Sequence, residues 1–349
     1  MCKVRLFIVR KTRKRKKNTK SLNALLLTAV LILLAGLTAV FFFVQRQINS
    51  EIVENAGMSV HADLSSRYIT HNGIQYLIKR NLSTVLLIGT DSFAEDTDRI
   101  VEGQNRNRDL SDFIVLLVID HNKQTITPLQ LNRDTICEVP WLDEKGEIGG
   151  YHTEHLAFAH TYGSGQEDSC QNTIKTVRKL LYNAPITDYV AFTMDAVPLM
   201  NDLVGGVTVT LTEDMPSLGK KYVKGAEITL AGNKALNYIR YREDKGGSNW
   251  FRMKRHQQYL HAFIESTKKA AKENPELAID AFKLIGPYMC TNLTINTMAS
   301  FVEQLCSYTI KDTLTPSGDI VPGESFYEFH VHEDSLWECV YNAYCNKNS

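Results

Sequence analysis

The sequence predicts an α/β fold in which helices cover both faces of a central β-sheet. Two stretches carry this prediction, because residues 85–89 and 112–119 are short and almost continuously apolar. A strand of this kind is buried on both faces, which requires a layer of helices on each side of the sheet. Strand-like and helix-like segments then alternate along the chain, as they do in layered α/β proteins.

Hydrophobic periodicity and chain breakers assign the remaining elements. The segment 168–182 is predicted to be a helix, because it carries an apolar stripe at Ile174, Val177 and Leu181. Residues 137–150 contain a proline and three glycines and are predicted to form a loop. Further strands are predicted at 125–131, 188–194 and 207–211, and further helices at 153–161, 195–203, 251–272, 276–285, 297–308 and 333–344.

Residues 22–44 form an uncharged run of 23 residues, long enough to cross the roughly 30 Å hydrocarbon core of a membrane as a helix. The basic residues before this run predict a cytoplasmic N-terminus and an extracytoplasmic remainder. A cleaved signal peptide is the alternative, but the run is longer than a usual signal and no small-x-small pair follows Val44. The expected division is a basic cytoplasmic tail at 1–21, a single-pass cell-membrane anchor at 22–44, a stalk at 45–80 and a catalytic domain at 81–349.

The charge of the chain is unevenly distributed. The whole chain has 39 basic and 39 acidic residues, but its first 20 residues hold ten Lys or Arg and no acid. The remainder therefore has 29 basic against 39 acidic residues, a net charge of −10. Such a domain does not attract nucleic acid, and membrane topology accounts for the basic tail.

Six cysteines follow the predicted span, and an even number outside the membrane predicts disulfides. Cys137 and Cys170 are the preferred pair, because their bridge would hold the loop after Arg133 against the helix at 168–182. By chain entropy, it would contribute roughly 3 to 4 kcal/mol. The leftover pairings are Cys290 with Cys306 and Cys339 with Cys345, and buried free thiols are the alternative.

Charged residues of the kinds found in active sites stand where apolar strands begin or end. Asp91 follows the first strand, Asp112 begins the second, and Arg133 with Asp134 follows the third. Strand ends are where α/β proteins place ligands. Each residue alone is as compatible with a turn or a cap. Three such positions within about fifty residues favour a site.

The stretch 238–258 carries four arginines whose spacing allows them to converge on one anion. Arg240 and Arg242 lie at the end of a predicted helix, and Arg252 and Arg255 share one face of the next. Planar guanidinium groups suit phosphate or pyrophosphate. A solvated basic helix face is the alternative interpretation.

Seven sequence motifs follow one another along residues 86–258. They are LLIGTDS (86–92), LSDFIVLLVID (110–120), LQLNRDT (129–135), LAFAHTYG (156–163), GGVTV (205–209), YIRYR (238–242) and FRMKRHQQ (251–258). In this order and with this spacing, they resemble the LytR-CpsA-Psr family of membrane-anchored bacterial cell-wall enzymes. The match covers roughly residues 80–270, with its core motifs at 85–270.

The resemblance implies a mixed central sheet between helices, enclosing a hydrophobic cavity for a polyprenyl lipid. It also implies transfer of a glycopolymer, as a sugar phosphate, from a polyprenyl-pyrophosphate carrier to peptidoglycan. Asp91 and Asp112 would hold Mg²⁺ or Mn²⁺, and Asp134 would orient Arg133 or act as a base. The pyrophosphate would be bound by Arg133, Arg240, Arg242, Arg252, Arg255 and Gln257, of which Arg133, Arg240 and Arg242 would also be catalytic together with Asp134.

Three functions remain in competition at this point. The leading one is the metal-dependent phosphotransferase, because phosphoryl transfer mainly requires positioning and neutralisation of charge. The second is hydrolysis of the same carrier by water. The third is a non-catalytic module that binds a polyprenyl lipid or an anionic polymer through the same cavity and arginines. The expected cavity is lined by the central strands and by helices at 173–181 and 195–203.

Overall fold

A six-stranded mixed sheet forms the centre of the computed structural model, which describes residues 67–91, 106–107, 109–241 and 249–346. The described strands are β1 (Tyr68–His71), β2 (Ile74–Leu77), β3 (Leu82–Thr90), β4 (Ser111–Asp120), β5 (Thr125–Gln130), β6 (Ile136–Leu142), β7 (Ile148–His155), β8 (Asp188–Thr193), β9 (Val207–Thr210), β10 (Glu227–Leu230), β11 (Met289–Thr291), β12 (Thr309–Ile310), β13 (Gly318–Pro322) and β14 (Tyr327–Val331). The central sheet has the order β11-β8-β3-β4-β5-β12. Its β3–β8 and β5–β12 pairs are parallel and the others antiparallel. The predicted α/β fold with a mixed sheet is confirmed.

Seven α-helices surround this sheet and its attached hairpins in the described chain. They are α1 (Glu167–Leu180), α2 (Ala196–Leu203), α3 (Asn233–Arg240), α4 (Asn249–Glu273), α5 (Leu277–Ile285), α6 (Ile295–Ser307) and α7 (Glu333–Tyr344), with 3₁₀ turns at Leu156–Thr161, Pro216–Leu218 and Gly286–Tyr288. The predicted helices at 168–182, 195–203, 251–272, 276–285, 297–308 and 333–344 agree with these bounds to within two residues.

The apolar side chains of β4 alternate between two clusters, one on each face of the sheet. Those at even positions pack against α1 and α7, and those at odd positions pack against α6. The even set is Ile114, Leu116 and Val118 with Val177 and Val340, and the odd set is Val115, Leu117 and Ile119 with Met298 and Phe301. Full burial of each such side chain contributes about 1.5 to 3 kcal/mol. The continuous apolarity of β4 thus has the predicted cause, a helix layer on both faces.

The loop predicted at 137–150 is wrong, because β6 and β7 form an antiparallel hairpin there. The indole of Trp141 on β6 lies so close to Gly149 and Gly150 on β7 that a β-carbon at either glycine would collide with it. These two glycines therefore serve a packed strand rather than a loop. The helix predicted at 153–161 is also wrong. Strand β7 continues to His155, and only the 3₁₀ turn Leu156–Thr161 follows it.

The β1–β2 hairpin lies within the range 45–80 that the sequence assigns to the stalk, and it packs on the rest of the described domain. Ile69 is buried in the same apolar cluster as α1 and α7, and Ile78 pairs with Cys345 near the end of the described chain. None of the helices described is long and apolar enough to span a membrane. The predicted span at 22–44 lies outside the described residues.

All six cysteines in the described residues carry free thiols, so the predicted Cys137–Cys170 disulfide is wrong for this structure. The predicted pairs Cys290–Cys306 and Cys339–Cys345 are absent as well. Cys137 lies on β6 opposite Glu154, whereas the Cys170 thiol lies 3.8 Å from His160 Nε2. The packing of α1 sets the direction of the Cys170 side chain, which closeness in sequence does not reveal.

Candidate active site

Asp112 lies at a β-bulge at the start of β4. Gly89 pairs with Phe113 and Thr90 pairs with Ser111, which leaves Asp112 as the extra residue on its strand. Bulges break the alternation of a strand and re-aim one side chain, often beside an active site. Because β3 and β4 are antiparallel, the last residues of β3 lie at the same end of the sheet as Asp112.

The Asp112 carboxylate binds two arginines from distant parts of the chain. Arg133 contacts its Oδ1 through Nη1, and Arg252 donates from Nη1 to its Oδ2 over 3.1 Å. The three side chains are mostly buried, with exposed fractions of 11% for Asp112, 17% for Arg133 and 8% for Arg252. Burial strengthens the mutual dependence of such charges, because removing one partner leaves another uncompensated. We call these three residues the Asp112 cluster.

Neighbouring polar groups fix the orientation of both guanidinium groups. Arg133 Nε donates to Asp134 Oδ1 over 3.0 Å, and Arg252 Nε donates to Asn249 Oδ1 over 2.9 Å. Asn249 Nδ2 in turn donates to Asn132 Oδ1 over 2.7 Å, which links the two sides of the cluster. Sequence reasoning gave neither asparagine a role in the site, although Asn132 directly precedes Arg133. The orienting role proposed for Asp134 agrees with this geometry.

Asp91 and Arg240 form a second, more open pair. Arg240 Nη2, at the end of α3, lies 3.7 Å from Asp91 Oδ1, and both side chains are more than half exposed. An exposed pair at this distance holds its partners only weakly. Both groups therefore remain accessible to a ligand. Arg242 lies outside the described residues.

Arg255 and Gln257 are engaged with the protein rather than with the Asp112 cluster. The nearly buried Arg255 contacts the Glu213 carboxylate and the Tyr241 carbonyl oxygen. Gln257 Nε2 donates to Gln130 Oε1 over 2.7 Å and to Thr315 Oγ1 over 2.9 Å. The role of Glu213 could not be predicted from the sequence, because its contact partner Arg255 lies 42 residues away along the chain. Binding of pyrophosphate by Arg255 and Gln257 stays a prediction.

An apolar cavity of about 210 Å³ lies on the face of the sheet that α4, α5 and α6 cover. Phe113, Ile239 and His256 line it, and each is the direct chain neighbour of a charged residue named above. The other lining residues are Leu87, Leu117, Val190, Phe192, Met194, Val197, Met200, Leu203, Val204, Tyr259, Leu260, Phe263, Ile264, Thr267, Leu277, Ala278, Ala281, Ile285, Met289, Met298, Phe301, Val302 and Leu305.

The predicted lining of the cavity is correct for the strands and for α2, but wrong for residues 173–181. Those residues belong to α1 and the turn after it, and Ile174, Val177 and Leu181 pack on the opposite face of the sheet. Helices α4, α5 and α6 supply that part of the wall instead. An apolar stripe shows that a helix is packed, but it does not show on which face of the sheet.

Two histidines are buried as neutral side chains. Burial lowers the pKa of His256 to about 3, with a further contribution from Arg252, and lowers the pKa of His160 to about 4. His256 donates from Nε2 to the Ile239 carbonyl oxygen over 3.1 Å, which joins α4 to α3. Both rings therefore stay uncharged in the folded protein at neutral pH.

The stability of the domain should fall as the pH drops from 7 to 5. The unfolded chain protonates these histidines below about pH 6.5, while the folded chain does not, so each contributes a loss of about 2 kcal/mol at pH 5. Urea unfolding at the two pH values measures this difference. In His256→Gln, which keeps a donor for Ile239, the loss should shrink by about 2 kcal/mol. An unchanged loss in that variant would contradict the assignment.

The carboxylates of Asp91 and Asp112 are the candidate ligands for a divalent metal. Mg²⁺ is commonly held by one or two carboxylates together with substrate phosphates and water. Asp91 and Asp112 lie at the same end of the sheet, where β3 ends and β4 begins. No group of three or more His, Cys, Asp or Glu in the described chain forms a complete metal site by itself. The donor set fits a metal that is bound jointly by the protein and a phosphate ligand.

Together, the fold and the site define a mixed-sheet α/β protein with an arginine and carboxylate cluster beside an apolar cavity. The LytR_cpsA_psr family model matches residues 47–340. The chain therefore belongs to this family, which confirms the resemblance found in its motifs.

Relatives with a named activity match most of the chain. A polyisoprenyl-teichoic acid–peptidoglycan teichoic acid transferase, TagU of Bacillus licheniformis, is 25% identical over 328 residues, covering 93% of this chain and 94% of its own. TagV of Bacillus subtilis, with the same named activity, is 25% identical over 263 residues, covering 72% of this chain and 61% of its own.

Solved structures share the fold. The crystal structure of B. subtilis TagV has a TM-score of 0.58 and 23% identity, covering 76% of this chain and 97% of that one. The structure of TagT bound to LIIa-WTA has a TM-score of 0.57 and 21% identity, covering 81% and 96%. The central sheet and its helix layers are thus those of this family.

Proposed function

We propose that this protein is a membrane-anchored, extracytoplasmic phosphotransferase that moves a glycopolymer from a polyprenyl-pyrophosphate carrier to peptidoglycan. The observation that carries the proposal is the Asp112 cluster next to the apolar cavity. Guanidinium groups suit a pyrophosphate, and an apolar cavity suits a hydrocarbon chain, so together they fit a lipid pyrophosphate. The named activity of the TagU and TagV relatives supports the same reaction.

In the proposed reaction, an acceptor hydroxyl oxygen forms a bond to the phosphorus that carries the glycopolymer. The bond from that phosphorus to the bridging oxygen breaks, and polyprenyl phosphate leaves. Arg133 and Arg252 would bind the pyrophosphate oxygens and stabilise the charge that develops on them. Asp134 holds Arg133 in place through the Nε contact. The proton of the hydroxyl passes to Asp134 or to water.

Asp91 and Asp112 would hold Mg²⁺ or Mn²⁺ when the substrate is bound. The metal would supply further neutralisation of the phosphate charge. Arg240, which pairs weakly with Asp91, would then turn to the substrate. Because both side chains are exposed, separating Arg240 from Asp91 costs little free energy.

Asp91→Ala should raise the Mg²⁺ concentration needed for half-maximal transfer at least tenfold, because it removes one of two protein ligands. Its exposed position predicts an unchanged melting temperature. A Mg²⁺ titration of the transfer rate, beside a thermal melt, measures both. Asp319→Ala, which removes another exposed carboxylate, is the control and should behave like the wild type. An unchanged titration would remove Asp91 from the metal site.

The anchor would be residues 22–44, with a cytoplasmic N-terminus and the domain on the outer side of the cell membrane. This arrangement would place the site beside a lipid carrier that remains embedded in the same membrane. Protease treatment of intact spheroplasts tests it, because only an exported domain is digested.

The function itself is tested with the full chain in detergent, a polyprenyl-pyrophosphate-linked glycan and polymer-free peptidoglycan sacculi. We expect the glycan to become covalently attached to the sacculi in the presence of Mg²⁺. Release of free glycan phosphate with no attachment would identify the hydrolase instead. Retention of intact carrier without turnover would identify the binding module.

A further inference from the structure

The C-terminal end of α3, which carries Arg240, is held by two consecutive residues of α4. His256 Nε2 donates to the Ile239 carbonyl oxygen over 3.1 Å, and Arg255 Nη2 donates to the Tyr241 carbonyl oxygen. The last carbonyl groups of a helix have no partner within that helix. Here side chains of α4 supply partners on both sides of Arg240, so the position of this arginine depends on α4.

Two further contacts strengthen the attachment of α3 to α4. The guanidinium carbon of Arg255 lies 5.4 Å from the centre of the Tyr241 ring, so Arg255 contacts this residue through its ring as well as its carbonyl group. The hydroxyl of the fully buried Tyr238 donates to Gln258 Oε1 over 2.5 Å. Because Tyr241 directly follows Arg240 in the chain, any movement of Arg255 is passed on to Arg240.

Glu213 fixes the guanidinium group that makes these contacts. Its carboxylate binds Arg255 Nη1, which leaves Nη2 directed at the Tyr241 carbonyl oxygen. Glu213 is held in place in turn, because Leu211 and Met215 on either side of it are buried and their backbone amides donate to carbonyl groups further along the chain. The contacts from Glu213 through Arg255 to Tyr241 therefore join the segment after β9 to the end of α3.

The same geometry argues against direct binding of pyrophosphate by Arg255. Its side chain is 4% exposed, whereas that of Arg240 is 57% exposed. A phosphate would have to displace the Glu213 carboxylate, which would then lie unpaired beside the new negative charge. Arg240 faces no such obstacle, because its pair with Asp91 is open and weak.

We infer that Glu213 and Arg255 are positioning residues: Glu213 orients Arg255, and Arg255 holds Tyr241 so that Arg240 meets the pyrophosphate. This inference rests on the proposed function, and it gives Arg255 an indirect role in place of direct contact with the ligand. Misplacement of a binding group by about 1 Å can cost on the order of a hundredfold. A contact that lies two residues away from the ligand can therefore have a measurable effect on its binding.

A double-mutant cycle between Arg255→Lys and Arg240→Ala tests the inference. The measurement is the dissociation constant of farnesyl pyrophosphate for the full-length protein in detergent with Mg²⁺, which does not depend on turnover. The lysine keeps the charge that Glu213 requires but cannot also reach the Tyr241 carbonyl oxygen. We expect the dissociation constant to rise about tenfold in Arg240→Ala and about fivefold in Arg255→Lys. Because Arg255 acts through Arg240, the double variant should bind no more weakly than Arg240→Ala alone.

The cycle separates this inference from the proposed function. Additive effects, which would give a rise of about fiftyfold in the double variant, would show that Arg255 acts independently of Arg240 and would overturn the inference alone. An unchanged dissociation constant in Arg240→Ala would overturn it as well. Failure of the wild type to bind farnesyl pyrophosphate would overturn the proposed function together with the inference.

Variants of Glu213 test the first step of the chain of contacts in the same binding assay. Glu213→Ala should weaken binding of farnesyl pyrophosphate about fivefold, and Glu213→Gln, which keeps an oxygen that accepts from Arg255 Nη1, should restore most of the loss. The matched control is Asp214→Ala, which removes the neighbouring carboxylate that accepts from the Lys224 amide over 2.7 Å, and it should bind like the wild type. If Glu213 instead blocks Arg255 from the ligand, both Glu213 variants would bind more tightly than the wild type, and the inference would be overturned.

Discussion

Asp112→Ala should reduce the rate of glycopolymer transfer by about a thousandfold. Asp112 holds Arg133 and Arg252 through its two carboxylate oxygens. Its loss would release both guanidinium groups from the positions in which they meet the substrate. It would also leave two buried positive charges next to each other without their shared counter-charge. Loss of one positioned group in an active site typically costs 10² to 10³ in rate, and here two groups depend on one.

The same substitution should lower the free energy of unfolding by about 3 to 5 kcal/mol, the usual cost of breaking a buried ion pair from one side. Transfer rates and urea unfolding of the same samples separate the two effects. The matched control is Asp120→Ala, at the opposite end of β4, which caps a turn by accepting from the Asn122 and Lys123 amides. It should lose stability but keep its rate per folded molecule. A rate in Asp112→Ala within threefold of the wild type would show that the cluster is structural.

The candidate site residues on the central strands could be selected from the sequence, because the ends of apolar strands are visible in it. The apolar runs of β3 and β4 have clear limits, and an antiparallel pair brings the end of one to the start of the other. The structure shows that β3 and β4 pair in this antiparallel way, which places Asp91 and Asp112 at the same end of the sheet. The bulge that re-aims Asp112 could not be predicted, because it depends on pairing between strands and leaves no mark in either strand alone.

The parts of the site that depend on tertiary packing were not accessible from the sequence. Arg252 reaches Asp112 across 140 residues, and Asn249 reaches Asn132 across 117. Both contacts exist because α4 lies across the ends of β4 and β5, and no local pattern specifies that placement. The same limit explains the Cys137–Cys170 error, since the packing of α1 directs the Cys170 thiol to His160 rather than to Cys137.

Arg133→Lys should reduce kcat/KM for the lipid pyrophosphate about a hundredfold, although the charge is conserved. Arg133 uses two different nitrogen atoms at once, Nη1 towards Asp112 and Nε towards Asp134. An ammonium group is a single point of charge on a flexible stem and cannot hold this fork while also binding a phosphate oxygen. The loss should therefore appear in kcat as well as in KM, because positioning fails in the transition state.

Arg178→Lys, an exposed position on α1, is the matched control and should retain the wild-type kcat/KM. Measuring the rate of Arg133→Lys at increasing Mg²⁺ concentrations distinguishes two possible roles of Arg133, positioning Asp112 and binding the pyrophosphate. If Arg133 serves mainly to position Asp112, a metal ion bound by Asp112 substitutes for that contact, and high Mg²⁺ restores the rate. If Arg133 binds the pyrophosphate itself, excess metal does not replace the missing fork and the deficit persists. We expect the second result, because Arg252 already holds Asp112 Oδ2 and Asn249 holds Arg252, so the carboxylate keeps its position when Arg133 is shortened.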